Sequence, residues 1–216
     1  MDENEIIDSI STTLNAGRVI PSPVSFPLII KAISGFDVIS LNNDDNEDVL
    51  LLARLEGAVS RCASYVQRNP IVHTRPNEVG NYIETPLKNQ LSDVGFIVET
   101  PSGAAGAQTS GYPDILIREP SGRPTYLEVK TYKPGSESSS FRSFYLSHSD
   151  TFKVNVDARH LLVAFRMIST PAGSGKQAYS PEGWSVRDLS KLDCGLKLEF
   201  QSNNKTMYRI APEING

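Results

Sequence analysis

The chain has 216 residues, 39% of them hydrophobic and 21% charged, with a net charge of −4, a composition typical of a globular protein with one large domain or two small ones. The acidic total argues against a general nucleic-acid coat protein, and no apolar run approaches the roughly 20 residues that span a bilayer. Cys62 and Cys194 stand too far apart for a zinc knuckle or a disulfide framework and read as buried free thiols.

Asp2, Glu3 and Glu5 occupy the place where a secretory signal carries positive charge, so a cytoplasmic protein is expected. Residues 1–75 hold 10 acidic and 6 basic side chains, while the remainder holds 15 of each. Within that remainder, residues 118–176 carry 9 basic and 5 acidic groups. An acidic metal-binding cluster in a modestly basic surface gives this balance, and so does an ordinary mixed surface.

In chain order, Glu5 to Leu14 and Glu47 to Gln67 place apolar residues at three- and four-residue spacing and are predicted helices. The acidic, turn-rich LNNDDNED between them supplies an N-cap candidate in Asn46. Residues 70–76 lie between two prolines and are predicted to be a connector, which sets a boundary between a helical region, 1–75, and an α/β domain, 76–216. Residues 77–94 form a predicted helix with Val79, Ile83, Leu87, Leu91 and Val94 on one side and Gly95 at its end. A strand GFIVETP and a loop of small residues, SGAAGAQTSG, come next. The strands YPDILIRE and TYLEVKTY follow, joined by the turn PSGRP. RHLLVAFRMI is the clearest buried strand. WSVRDLSKL is predicted as a short helix, and LKLEFQ with KTMYRIA as a final hairpin around SNN. The fold class expected is α/β, a mixed central sheet flanked by helices, with a helical N-terminal extension.

The chemistry concentrates in SGYPDILIREPSGRPTYLEVKTYK, residues 110–133. Asp114 is followed by thirteen residues and then Glu128-Val129-Lys130. Side chains alternate along a strand, so Glu128 and Lys130 share a face while Val129 points into the core. A hairpin centred near Ser121 sets Asp114 opposite Glu128, with Ile115, Ile117, Leu127 and Val129 on the other face. A one-residue slip scatters the three ionisable groups. Two carboxylates can hold a hard divalent cation through oxygen ligands, with Mg2+ as the expected ion. Lys130 can orient or deprotonate a water, or stabilise a pentavalent phosphorus centre. An exposed Glu-x-Lys on an edge strand is the plainer alternative.

Helix, strand, strand with PD and strand with ExK, over residues 77–170, resembles the PD-(D/E)XK nucleases, a superfamily that includes type II restriction endonucleases and junction resolvases. SGYPDI, FRSFYLS and DARHLLVAF look most like the restriction enzymes. The resemblance implies a magnesium-dependent endonuclease on double-stranded DNA with Asp114, Glu128 and Lys130 at its centre. It also implies a glutamate on the preceding helix, placed at Glu84 with Glu78 as the alternative. Cutting both strands of a palindrome with one site per chain implies a homodimer, for which residues 1–75 are available, as they are for wrapping DNA. The rivals are a structure-specific nuclease and a DNA-binding or assembly module with an idle site.

For DNA contact, Arg142 amid Phe141, Phe144 and Tyr145 stands out, with Lys153 behind it. Lys133 and Arg118 flank the catalytic strands, and Asn203 with Asn204 can read adenine or make a turn. AGSGKQ, residues 172–177, lacks the spacing of a phosphate-binding loop. His73, His148 and His160 have no metal-ligand spacing, and His160 beside LLVAF is expected near the core.

Overall fold

Strand alternation and turn chemistry set the centre of this structure, a computed structural model that describes residues 2–20, 22–103, 106–107, 111–139, 144, 146, 152–197, 202, 204–207 and 209. In chain order the elements are α1 (Glu3–Val19), β1 (Val24–Ser25), α2 (Phe26–Ser34), α3 (Asn46–Arg68), β2 (Ile71–His73), α4 (Val79–Asp93), β3 (Ile97–Glu99), β4 (Ser102–Gly103), β5 (Gly106–Ala107), β6 (Ile115–Arg118), β7 (Pro124–Tyr132), β8 (Arg159–Pro171), β9 (Gln177–Asp188), β10 (Asp193–Cys194) and α5 (Asn204–Met207). Single 3₁₀ turns lie at Pro76–Glu78 and Leu189–Lys191. The chain divides into two units, residues 1–24 with 193–216 and residues 25–192.

The larger unit is built on a six-stranded mixed sheet in the order β2-β9-β8-β7-β6-β3. Only β7 and β8 run parallel; the other neighbours are antiparallel. The β6–β7 hairpin closes over PSGRP, where Gly122 takes φ +89° and donates to the Glu119 carbonyl. That left-handed conformation is cheap for glycine and costly for other residues. Val129, between Glu128 and Lys130, faces a core shared with Ile115, Ile117, Leu127, Val163 and Phe165. Leu51, Leu55, Val59 and Val66 of α3 and Ile83, Leu87 and Leu91 of α4 belong to the same core. The boundary expected near residue 75 therefore falls inside one unit, because the apolar stripe of α3 is buried together with the sheet rather than in a core of its own.

Charge ties α3 to the β6–β7 hairpin. Arg123, in the β6–β7 turn, bonds Glu119 at 2.8 Å and Asp48 at 2.9 Å and also reaches Glu47 and Asp45. Arg159, which opens β8, pairs with Asp48 from the other side. Asp48 is buried. Its burial, which opposes ionisation, is outweighed by bonds from the Asn42 N–H and the two arginines, and its carboxyl sits below the usual range.

Several expected elements differ. Asp45 caps α3 in place of Asn46, its carboxylate accepting from the Glu47 N–H. Pro70 leads into the edge strand β2 rather than a plain connector, a position where its missing N–H breaks no ladder. WSVRD is strand, not helix, because Trp184 and Val186 pair with Phe165 and Val163 of β8; tertiary pairing overrides the local pattern. No final hairpin forms from the described part of KTMYRIA, since Asn204–Met207 is a helical turn. Ser and Asn favour helix starts as much as turns. The rest of that expected hairpin lies outside the described residues.

In the smaller unit, α1 opens with a capping box in which Asp2 and Glu5 each accept the other's N–H. No α1 side chain is buried, and Ile6, Ile7, Ile10 and Leu14 are exposed. Among the described residues no helix is long and apolar enough to cross a membrane.

Candidate active site

The hairpin brings the acidic pair close together. Ile115 lies opposite Leu127 and Arg118 opposite Pro124, and Asp114 immediately precedes this paired stretch. Just before β6 the Asp114 N–H donates to the Leu127 carbonyl at 3.1 Å, outside the regular ladder. Its Oδ2 accepts the Val129 N–H at 2.7 Å. The β7 backbone thus fixes the carboxylate, not merely the residue.

Glu128 is 5% exposed. Its Oε1 lies 2.6 Å from Nζ of Lys130, as expected for residues two apart on one strand face. Its Oε2 is buried and has no hydrogen-bond partner among the described residues. Burial first, and then the charge of Asp114, push the Glu128 carboxyl up to about 7 against the pull of Lys130 and Lys153. A neighbouring negative charge and the loss of water both disfavour the ionised form of a buried carboxyl such as that of Glu128.

Helix α4 supplies the third acid. Burial, and again the charge of Asp114, raise the Glu84 carboxyl, while Lys88 one turn later pairs with it at 3.5 Å. Glu78, the alternative, stands apart with Arg75 and His73. Lys88 is the group that sequence reasoning missed. Its signal was present, four residues after Glu84 on the same helical face.

The expected DNA contacts are scattered. Lys133 is exposed just beyond β7. Arg118, at the far end of β6, pairs with Glu99 at 3.3 Å. Lys153 is 2% exposed and lies in the electrostatic field of Asp114, Glu128 and Glu84. Its surroundings lower its pKa, because burial disfavours the ammonium more than the carboxylates favour it. It is an internal cation beside the acids, not the surface contact expected. The cause is local: Val154 is buried, and Asn155 is hydrogen-bonded to Tyr126, so the segment turns inward. Arg142 and Asn203 lie outside the described residues. The AGSGK segment is the β8–β9 turn, closed by the Ala172 N–H to the Lys176 carbonyl.

Among the described residues no three His, Cys, Asp or Glu side chains form a ready-made metal cluster. The donor set nonetheless suits a hard cation. Asp114 and Glu128 offer carboxylate oxygens, Oε2 of Glu128 is orphaned in a buried setting, and a cation there would relieve the repulsion that raises Glu128. Magnesium commonly takes one or two protein carboxylates and fills the octahedron with water and substrate oxygens.

A model of the type II restriction enzyme MjaV family matches residues 21–211. The chain belongs to that family. A relative from Methanocaldococcus jannaschii, named type II restriction enzyme MjaV, is 32% identical over 225 residues, spanning 97% of this chain and 95% of its own. No solved structure matches. The MjaV family match takes in Glu84, Lys88, Asp114, Glu128, Lys130 and Lys153. As a type II restriction enzyme the protein is a site-specific deoxyribonuclease, and the mixed sheet flanked by helices is consistent with a restriction-endonuclease-like core.

Proposed function

We propose that this enzyme is a magnesium-dependent endonuclease of the PD-(D/E)XK type that cuts double-stranded DNA as a homodimer in the cytoplasm. Asp114, Glu128, Lys130 and Glu84 are its catalytic residues. The observation that carries the reading is the orphaned Oε2 of buried Glu128 beside Asp114. A buried carboxylate oxygen with no donor is costly unless a ligand completes it.

Asp114 and Glu128 would hold the ion. When bound, magnesium lowers the pKa of a water and offsets charge that develops on the phosphate. The Lys130 ammonium, already 2.6 Å from Glu128, donates hydrogen bonds that orient the attacking water or stabilise the crowded phosphorus centre. Glu84 and Lys88 form the wall of the site on α4. Lys133, Arg118, Arg142 and Asn203 are proposed to touch DNA. Within residues 1–75, α1, with its exposed Ile6, Ile7, Ile10 and Leu14, is the segment assigned to dimerisation or DNA wrapping.

Digestion of a mapped plasmid with magnesium, and in parallel with EDTA, tests this directly. Discrete bands that vanish in EDTA are expected. A smear would mean a nuclease without sequence preference, and equal cutting in EDTA would remove the metal from the mechanism.

A further inference from the structure

Two residues before Asp114, the chain carries a polar group where the core needs only bulk. Tyr112 is 5% exposed, and its hydroxyl meets Nδ1 of His160 at 2.5 Å. The two rings stack, with centroids 5.8 Å apart and planes 12° from parallel. Phe26, which opens α2, packs edge-on against Tyr112 and His160, both at 5.6 Å. Phe144 packs edge-on against Tyr112 at 5.5 Å. His160 is fully buried on β8, in register with Tyr126 of β7, whose ring lies 4.9 Å away. The Tyr126 hydroxyl in turn donates to Oδ1 of Asn155 at 3.0 Å and accepts the Asn155 N–H at 3.1 Å.

The chain runs from Tyr112 to Asp114 within two residues, and Tyr126 bonds the segment that bears Lys153. We infer that Tyr112 and His160 are positioning residues that set Asp114 for catalysis, the Tyr112–His160 hydrogen bond fixing the backbone that enters the carboxylate. The inference rests on Asp114 being a catalytic residue.

Three physical points support it. A neutral imidazole can accept the phenolic O–H at Nδ1 in its Nε2–H tautomer, and burial keeps His160 neutral by holding its pKa down to about 3. The bond is directional and sits among three further aromatic rings, so it selects one Tyr112 rotamer where packing alone tolerates alternatives. Nε2 of His160 is buried without a hydrogen-bond partner among the described residues, a cost that an apolar residue would not incur. Asp114 is then held from both sides: Leu127 and Val129 bind its own N–H and carboxylate, and Tyr112 anchors the chain leading to it.

Tyr112→Phe removes only the hydroxyl. It is expected to lower kcat about tenfold and weaken magnesium binding to the DNA-free protein, measured by calorimetry, by a similar factor. KM for DNA and metal-free DNA affinity should not change. His160→Leu should act in the same direction, and His160→Asn should recover part of the loss, because its carboxamide places an acceptor near the position of Nδ1. A merely structural pair would lower Tm and leave kcat and magnesium affinity at wild-type values well below Tm; that result in Tyr112→Phe, or in His160→Asn should Tyr112→Phe not fold, overturns the inference. Asp114→Asn separates the two levels. If it cleaves normally, the reading of the site fails; if it is inactive while Tyr112→Phe is unchanged, only the positioning role fails.

Discussion

The Val129 N–H donates to Oδ2 of Asp114 at 2.7 Å, so the strand that carries Glu128 and Lys130 also holds the other acid of the site. The three groups are therefore a single unit of backbone register. Asp114→Asn, Glu128→Gln and Lys130→Ala are each expected to reduce cleavage by at least about a hundredfold. Glu84→Ala should cost less, and Glu78→Ala, paired with Arg75 and His73, almost nothing. Plasmid cleavage rates with folded variants decide, and near wild-type cutting by any of the first three removes that residue from the centre.

Lys153 separates a surface contact from an internal cation. At 2% exposure beside three carboxylates, Lys153→Met should impair cleavage and folding while leaving the salt slope of DNA binding in place. A phosphate contact would instead flatten that slope by roughly one unit. Electrophoretic shifts at two salt concentrations distinguish the two.

Arg123 joins the β6–β7 turn to the start of α3 through Asp48 and Glu119. Removing one partner of a buried ionic cluster leaves the other charge uncompensated, at about 3 kcal/mol. Arg123→Ala should lower stability by that order in urea unfolding. Arg123→Lys should recover little, because an ammonium cannot span the carboxylates that the planar guanidinium reaches. A loss below about 0.5 kcal/mol, the usual range for a surface change, would show the cluster to be solvated.

Two buried groups of opposite sign set how the fold responds to acid. Burial holds His160 down to about 3, against 6.5 for the free group. Between those values the unfolded chain binds a proton that the folded chain refuses, so stability falls as pH drops from 6.5 towards 3. Asp48, whose pKa is lowered, adds a further loss below its ordinary 3.8. Glu128 has the opposite sign: its raised carboxyl costs stability as pH rises from 4.5 to about 7. The two contributions oppose each other between about pH 6.5 and 4.5, so from pH 7 to pH 4 the Tm of His160→Asn should rise relative to that of the parent. Equal slopes would mean that His160 is protonated in the folded state.

The β6–β7 hairpin was legible because its signals are local. Period-two alternation around Val129 and the turn residues in PSGRP set the hairpin register without reference to the rest of the chain, and Ile115 opposite Leu127 follows. Helix α2 carries local signals of the same kind, Pro27 in its first turn and Gly35 at its end. Other features depend on distant partners. Trp184 and Val186 are strand because β8 lies beside them. Lys153 looks like a surface lysine until Tyr126 is seen to bind Asn155. Tyr112 and His160 are 48 residues apart, and no spacing rule joins them.

The final expectation concerns binding without chemistry. Asp114, Glu128 and Glu84 lie where the reading places the scissile phosphate, and without metal their charge opposes it. Lys130 and Lys88 offset part of this through their pairs with Glu128 and Glu84, but Asp114 raises both neighbouring carboxyls and so remains a strong local field. Asp114→Asn should therefore abolish cutting while preserving or strengthening DNA binding in EDTA. Arg142→Ala should weaken that binding if the arginine touches DNA, with a flatter salt dependence if it touches phosphate. Shift titrations in EDTA at two salt concentrations measure both. If Asp114→Asn loses metal-free binding with its circular dichroism intact, Asp114 positions DNA rather than metal, and the proposed mechanism is wrong.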